Sequence, residues 1–184
     1  MDKKYQTIYA DPPWKYNDKQ SYNGTSTLGA SSHYPTMSLE DICNLGIGLR
    51  SLMADDCVLF LWATSPLLPE AIEVIKAWGF KYKTLAFCWS KETVNGIKIA
   101  NMGKWTMGNV ELCLLGTRGH PHRESKRVRQ LVEALREGHS KKPDEIGSRI
   151  VELMGDLPRI ELFARQKVEG WDCWGNEVEG DIGL

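Results

Sequence analysis

Apolar runs of strand length alternate along this chain with segments of helical period, and that alternation restricts it to an α/β architecture. YQTIYA (Tyr5 to Ala10) reads as a strand and stops at Asp11, where Pro12 and Pro13 withhold the donors a ladder needs. Ser38, three residues before Asp41, resembles a capping box, and Leu39, Ile42, Leu45, Leu49 and Leu52 form the stripe of a helix reaching about Ala54. CVLFLW (Cys57 to Trp62) is apolar throughout, as suits a strand covered on both faces. Thr64, Ser65 and Pro66 open a second helix through Leu68, Ile72, Ile75 and Ala77, stopped by Gly79. KTLAFCW (Lys83 to Trp89) and VELCLLG (Val110 to Gly116) predict two further strands. Val128, Leu131, Val132 and Leu135 fall at helical spacing and predict a helix over 125–137, ended by Gly138. Pro143, Asp144 and Glu145 begin another through Ile146, Ile150, Leu153 and Met154, which Gly155 ends ahead of RIELFA (Arg159 to Ala164), a final buried strand.

This order predicts an open, mostly parallel sheet with helices on both faces, whose ligands sit in the crevice beyond the carboxyl ends of the strands. Three strands end in chemically loaded residues: Asp11 after the first, Trp62 and Thr64 after CVLFLW, and Arg165 after RIELFA. A site between the first and last strands is implied. Two polar stretches are too long for passive connections. Residues 15–36, rich in Ser, Asn, Gly and Tyr, read as a mobile functional loop, and Lys91 to Asn109 as a second loop for substrate.

At 184 residues the chain reads as a single domain, 1–184, with 26% charged residues and no apolar run approaching the ~20 residues of a membrane helix. Its charge sum of −1 argues against a polycation that coats nucleic acid indiscriminately. Any polyanion would be met locally, and Arg118 to Arg129 is the candidate stretch to track phosphates. The five cysteines form no CxxC pair and read as free thiols in a reducing cytoplasm. His33, His120, His122 and His139 share no ligand spacing, so no metal is expected. Of seven tryptophans, Trp78 is assigned to packing, Trp89 and Trp105 flank the second loop with packing favoured over stacking on nucleic acid, and Trp171 and Trp174 brace the turn after them.

ADPPW (Ala10 to Trp14) matches the needs of one reaction, alkylation of an amino group attached to an aromatic ring. Such a nitrogen shares its lone pair with the ring and is a poor nucleophile. It becomes reactive when two acceptors hold its hydrogens while a methyl group approaches in line. Asp11 supplies a carboxylate, and the Pro12 carbonyl, directed by Pro13, a second acceptor. Trp14 offers a face for a planar base, worth about 1–3 kcal/mol. The plain alternative is a proline-braced turn with Trp14 as a core anchor.

The motif and the segments after it resemble the MT-A family, which includes the catalytic subunit of the eukaryotic mRNA N6-adenosine methyltransferase and bacterial and phage N6-adenine methyltransferases. YPTMSLEDI (Tyr34 to Ile42), LFLWAT (Leu59 to Thr64), AWGF (Ala77 to Phe80), HSKKPDE (His139 to Glu145), RIELFAR (Arg159 to Arg165) and GWDCWGNEV (Gly170 to Val178) occur in the family's order. The resemblance implies S-adenosylmethionine as methyl donor and a Rossmann-like methyltransferase sheet, permuted so that the DPPW strand comes first and the donor-binding strand last. It implies a strand at about 128–134 in place of the helix, and we adopt the strand. Asp11, Pro12, Pro13 and Trp14 are implied to be catalytic, with Tyr34, Trp62 and Lys142 joining Trp14 around the base. Asp11, Lys142, Phe163, Arg165, Asn176 and Glu177 are implied to hold the donor. Gln166, Lys167 and Val168 follow Arg165 where eukaryotic members carry a His and an Asn, closer to the bacterial form. The expected partner is nucleic acid, DNA ahead of RNA, with no membrane and with room for a second copy or a partner subunit. A non-catalytic nucleic-acid-binding subunit is the competing class.

Overall fold

The computed structural model describes residues 3–15, 21–22, 25–26, 35–101, 105–137 and 141–184. Strand β1 (Tyr5–Ala10) opens the chain, and a two-rung antiparallel hairpin, β2 (Ser21–Tyr22) with β3 (Thr25–Ser26), lies within the first long loop. Residues 16–20, 23–24 and 27–34 of that loop, Tyr34 and His33 included, lie outside the described residues, as does His139.

Helix α1 (Leu39–Leu52) starts as the capping box requires: the Ser38 Oγ accepts from the Asp41 backbone N–H at 3.1 Å. Its last turn runs directly into β4 (Met53–Ala63), four residues longer at its start than the apolar run indicates, because buried Met53 pairs with Tyr5 ahead of an irregularity in the ladder that spans Asp55 and Asp56. A 3₁₀ turn (Ser65–Leu67) leads into α2 (Leu68–Ala77), and Gly79 turns the chain with φ +88°, open to glycine at no steric cost. Strands β5 (Lys81–Glu92), β6 (Val110–Arg118) and β7 (Leu131–Leu135) follow, then α3 (Glu145–Met154), β8 (Arg159–Leu162) and β9 (Asp172–Trp174).

Two expectations change. The 125–137 segment is not a helix: Leu131–Leu135 pairs in parallel with β5, and the coincidence of four apolar residues at helical spacing is overridden by that ladder. The strand adopted from the resemblance is present, three residues later at its start. RIELFA is also not the last strand, because Asp172–Trp174 adds a three-residue edge beyond it, too short to carry a period.

The seven strands lie in the order β7-β5-β6-β4-β1-β8-β9, parallel throughout except for β6, which runs against both β4 and β5. The alternation along β4 divides the core. Leu59 and Leu61 face Ile42 and Leu49 of α1 and Val74 and Ile75 of α2, whereas Val58, Phe60 and Trp62 face Ile146, Ile150 and Met154 of α3. Helices thus cover both faces, as predicted. On the first face α1 and α2 touch through Gly46, where a Cβ would come within 2.8 Å of the Trp78 ring. Trp78 is fully buried there and donates its Nε1–H to the Ile42 carbonyl at 2.8 Å. No described helix is long and apolar enough to cross a membrane.

Trp89 is packed as expected, at 0% exposure, but Trp105 is 97% exposed on the arm between β5 and β6. Trp105 lies between Asn101 and Gly108, which pair through their backbones. The basic stretch also lies apart from the strand ends considered below. Arg118 pairs with Cys57 near the start of β4, whereas Ala10 pairs with Leu61 near its end, so residues 119–130 leave the sheet at the end opposite Asp11.

Candidate active site

Four strand termini converge at one end of the sheet. Strands β1, β4 and β8 deliver Asp11, Thr64 and Arg165 at their carboxyl ends, and the reversed direction of β6 brings its beginning, Glu111, to the same place. Lys142 arrives from the segment ahead of α3. Together they border two chambers, one of about 70 Å³ lined by Asp11–Trp14, Trp62–Thr64, Glu111, Lys142 and Arg165. The other, about 400 Å³, runs between β8 and the start of α3 past Tyr9, Glu161, Phe163, Trp171 and Glu177. Asp11, Lys142 and Arg165 line both.

The smaller chamber is held by backbone. The Pro12 carbonyl accepts the Trp14 N–H at 2.9 Å, a three-residue turn that fixes its direction and leaves one lone pair for a further donor. The Pro13 carbonyl accepts the Met37 N–H at 2.9 Å. Trp14 is buried and donates its Nε1–H to the Trp62 carbonyl at 3.0 Å, while Trp62 donates to the Tyr9 hydroxyl at 2.8 Å. Trp14 is therefore both the core anchor and a wall of the chamber, and the two readings of ADPPW coexist.

At the partition, the Lys142 Nζ donates to Asp11 Oδ2 at 2.6 Å and lies 3.2 Å from Glu111 Oε2. Lys91 pairs with the other Glu111 oxygen. Burial pushes the Asp11 carboxyl above its ordinary value, with Lys142 pulling against the shift. Burial works against the charge on Lys142, but the carboxylates of Asp11 and Glu111 outweigh it and hold the ammonium above its ordinary value. Glu111 is buried too, yet Lys142 and Lys91 outweigh that and hold it below the ordinary carboxylate value. The partition is thus a chain of alternating charge running from β5 through β6 and Lys142 to β1.

In the larger chamber the Glu161 carboxyl is pushed up to about 7, first by burial and then by the charges of Asp11 and Asp144. Phe163 stands at φ +61°, a sparsely populated conformation for a bulky residue, with its ring edge-on to Trp174 at 5.4 Å. Its strained backbone turns the chain from β8 into the chamber wall just ahead of Arg165. Arg165 Nε lies 3.9 Å from Glu177 Oε1. Trp171 packs edge-on to Tyr9 at 5.9 Å and beneath the Arg159 guanidinium at 5.5 Å.

Of the residues singled out in the sequence, Asp11, Pro12, Pro13, Trp14, Trp62, Lys142, Phe163, Arg165 and Glu177 are gathered here. Asn176 is exposed and lines neither chamber, and Tyr34 lies outside the described residues. Glu111, Glu161, Tyr9 and the Phe163 conformation escape sequence reading. A carboxylate inside an otherwise apolar run, VELCLLG or RIELFA, is the one signal that marks Glu111 and Glu161.

A family model described as MT-A70 matches residues 5–177. The chain belongs to the MT-A70 family. Among its relatives, the Type II methyltransferase M.MunI of a Mycoplasma species is 38% identical, over 96% of this chain and 78% of that one. The human N(6)-adenosine-methyltransferase catalytic subunit METTL3 is 28% identical, and the Drosophila N(6)-adenosine-methyltransferase MT-A70-like protein 27%. Both alignments cover 96% of this chain but only 29% and 27% of those longer proteins. The resemblance read from ADPPW and the segments after it is thereby established.

Proposed function

We propose that this protein is an S-adenosylmethionine-dependent N6-adenine methyltransferase acting on DNA, with the donor in the larger chamber and adenine in the smaller. The observation that carries the reading is Asp11, which lines both chambers, followed directly by Pro12, which lines the smaller one and has a carbonyl that accepts from the Trp14 N–H and keeps a second lone pair. The larger chamber suits the donor in size and chemistry. Its volume falls within the range of cofactor pockets, about 300–1,000 Å³. Lys141, Lys142 and Arg165 offer cations to an amino-acid carboxylate, Asp144, Glu161 and Glu177 offer acceptors to an ammonium or a ribose diol, and Tyr9, Phe163 and Trp171 offer ring faces. When bound, the donor supplies a methyl group activated by its positive sulfur.

The remaining chemistry belongs to the chain. Asp11 and the Pro12 carbonyl each accept one hydrogen of the adenine amino group, which turns its lone pair out of conjugation and toward the larger chamber. Trp14 and Trp62 exclude water from the smaller one. The methylated nitrogen is positively charged and releases a proton through the Asp11 side, with Lys142 keeping that carboxyl ionised beforehand. In a duplex the base must leave the stack to reach a chamber this small, which single-stranded or mismatched DNA makes easier. In this reading the sheet is permuted, with the catalytic strand β1 opening the chain and the donor-binding strand β8 near its end. The intact ADPPW motif, with Asp11 paired to Lys142, disfavours a non-catalytic subunit. The greater identity to the Mycoplasma methyltransferase than to the adenosine methyltransferases favours DNA.

Incubation with methyl-labelled donor and, separately, duplex DNA, single-stranded DNA and RNA, followed by nucleoside analysis, tests the proposal. Label in N6-methyldeoxyadenosine supports it. Label confined to RNA moves the substrate, and label on cytosine overturns the assignment of the smaller chamber.

A further inference from the structure

Lys142 stands between the two chambers and is held by groups that both need. Its side chain is 8% exposed, its ammonium donates to Asp11 Oδ2 at 2.6 Å, and a second carboxylate, Glu111, lies 3.2 Å away. The face of Trp62 closes a further side at 5.4 Å. Asp11 thus spends one of its oxygens on Lys142, the same carboxylate that must accept an amino hydrogen from the base. The larger chamber contains further cations, Lys141 and Arg165, but Lys142 is the lysine common to both linings.

We infer that Lys142 couples the chambers, so that a carboxylate bound in the larger one draws Lys142 off Asp11 and readies Asp11 for adenine. The exchange replaces one carboxylate partner of the lysine by another and leaves Glu111 as the tether about which the ammonium moves, with Lys91 holding Glu111 from the other side. The movement leaves Asp11 buried without its lysine, a cost that the amino hydrogens of the base then relieve. Donor occupancy therefore strengthens nucleic-acid binding, and by linkage nucleic acid strengthens donor binding by the same factor. An effect of about tenfold lies inside the usual range for coupled sites. The enzyme would load its donor first and admit the base second, which keeps the acceptor carboxylate paired until a methyl group is in place. This inference rests on the proposed assignment of donor and base to the two chambers.

Two non-reactive ligands separate the amino-acid part from the nucleoside part. S-adenosylhomocysteine carries the carboxylate, whereas 5′-methylthioadenosine has the same nucleoside and thioether without the amino acid. Anisotropy of a labelled adenine-containing oligonucleotide, titrated with the full chain, is predicted to show about tenfold tighter binding with saturating S-adenosylhomocysteine and no change with methylthioadenosine. In Lys142→Met the oligonucleotide affinity should be the same in both ligands and without either. Equal tightening by the two ligands in the wild-type protein overturns the inference without recourse to any variant, and so does tightening that persists in Lys142→Met. If S-adenosylhomocysteine binds by calorimetry but leaves oligonucleotide affinity unchanged, the coupling is wrong and the methyltransferase reading stands. If it does not bind at all, that reading fails and the coupling falls with it.

Discussion

The two chambers share three residues yet are built in opposite ways. The smaller one, about 70 Å³, comes largely from two short consecutive stretches, Asp11–Trp14 and Trp62–Thr64, fixed by backbone hydrogen bonds and prolines. The larger one, about 400 Å³, is assembled from side chains scattered from Tyr9 to Glu177, several of them charged. Rigid backbone suits a place where geometry decides the rate, because an acceptor misplaced by an ångström loses its effect. Charged side chains suit a place where a zwitterionic ligand must be gripped and released. The difference predicts that damage to the smaller chamber lowers turnover, while damage to the larger lowers donor affinity.

The strongest way to break that division is Asp11→Asn. It should reduce kcat by about 10²–10³-fold, the usual cost of removing one aligned electrostatic group, while S-adenosylhomocysteine still binds by calorimetry. Near-wild-type turnover would remove Asp11 from the chemistry. Arg165→Ala probes the other side. With its side chain 33% exposed, the arginine sits at the weak end of charge-assisted binding, so the donor KM should rise about tenfold with kcat nearly unchanged. A fall in kcat alone would show that Arg165 serves the smaller chamber, which it also borders.

The partition itself has a pH signature. Burial raises the Asp11 carboxyl and Lys142 pulls it back, and turnover needs the ionised form. Lys142→Met should therefore shift the acid limb of the kcat/KM profile to higher pH, whereas a limb that stays put would show that Lys142 does not tune Asp11. Glu161 gives a smaller effect on stability. Its folded value, about 7 against an ordinary 4.5, means that the folded state holds the proton more tightly. Its stabilising contribution is complete below about pH 4.5 and is lost as pH rises through 7. Glu161→Gln should flatten the fall in Tm between pH 5 and pH 8 by about 4–8 °C, on the order of 2 kcal/mol in a chain of this size. Least of all should change at the far end of the sheet, where charge reversal at Arg123 and Lys126 is expected to leave oligonucleotide affinity and its salt slope untouched.

That last prediction reverses the sequence reading, and the reason is instructive. Charge content along Arg118 to Arg129 is legible in one dimension, but the end of the sheet from which it departs depends on the direction of β6, which no local pattern encodes. The same reversal brings Glu111 into the site unannounced. ADPPW was legible because its chemistry is contiguous, β4 because an unbroken apolar run suits a strand buried on both faces, and the three helices because their periods match the faces they bury. The 125–137 helix failed because the helical spacing of four apolar residues is overridden by parallel pairing with β5, which buries Val132 and leaves Leu131 and Leu135 exposed. Trp105 failed because aromatic content alone does not say whether a core lies within reach. Phe163 shows the limit most plainly, since a left-handed backbone at a bulky residue is imposed by the surroundings of β8 and Arg165 rather than by the residue itself.

The division of labour between the chambers is tested most directly by a crystal structure of the protein with S-adenosylhomocysteine. The ligand should lie in the larger chamber with its carboxylate among Lys141, Lys142 and Arg165 and its sulfur directed toward Asp11. A ligand seated between Trp14 and Trp62, or one whose sulfur points away from Asp11, would contradict the account.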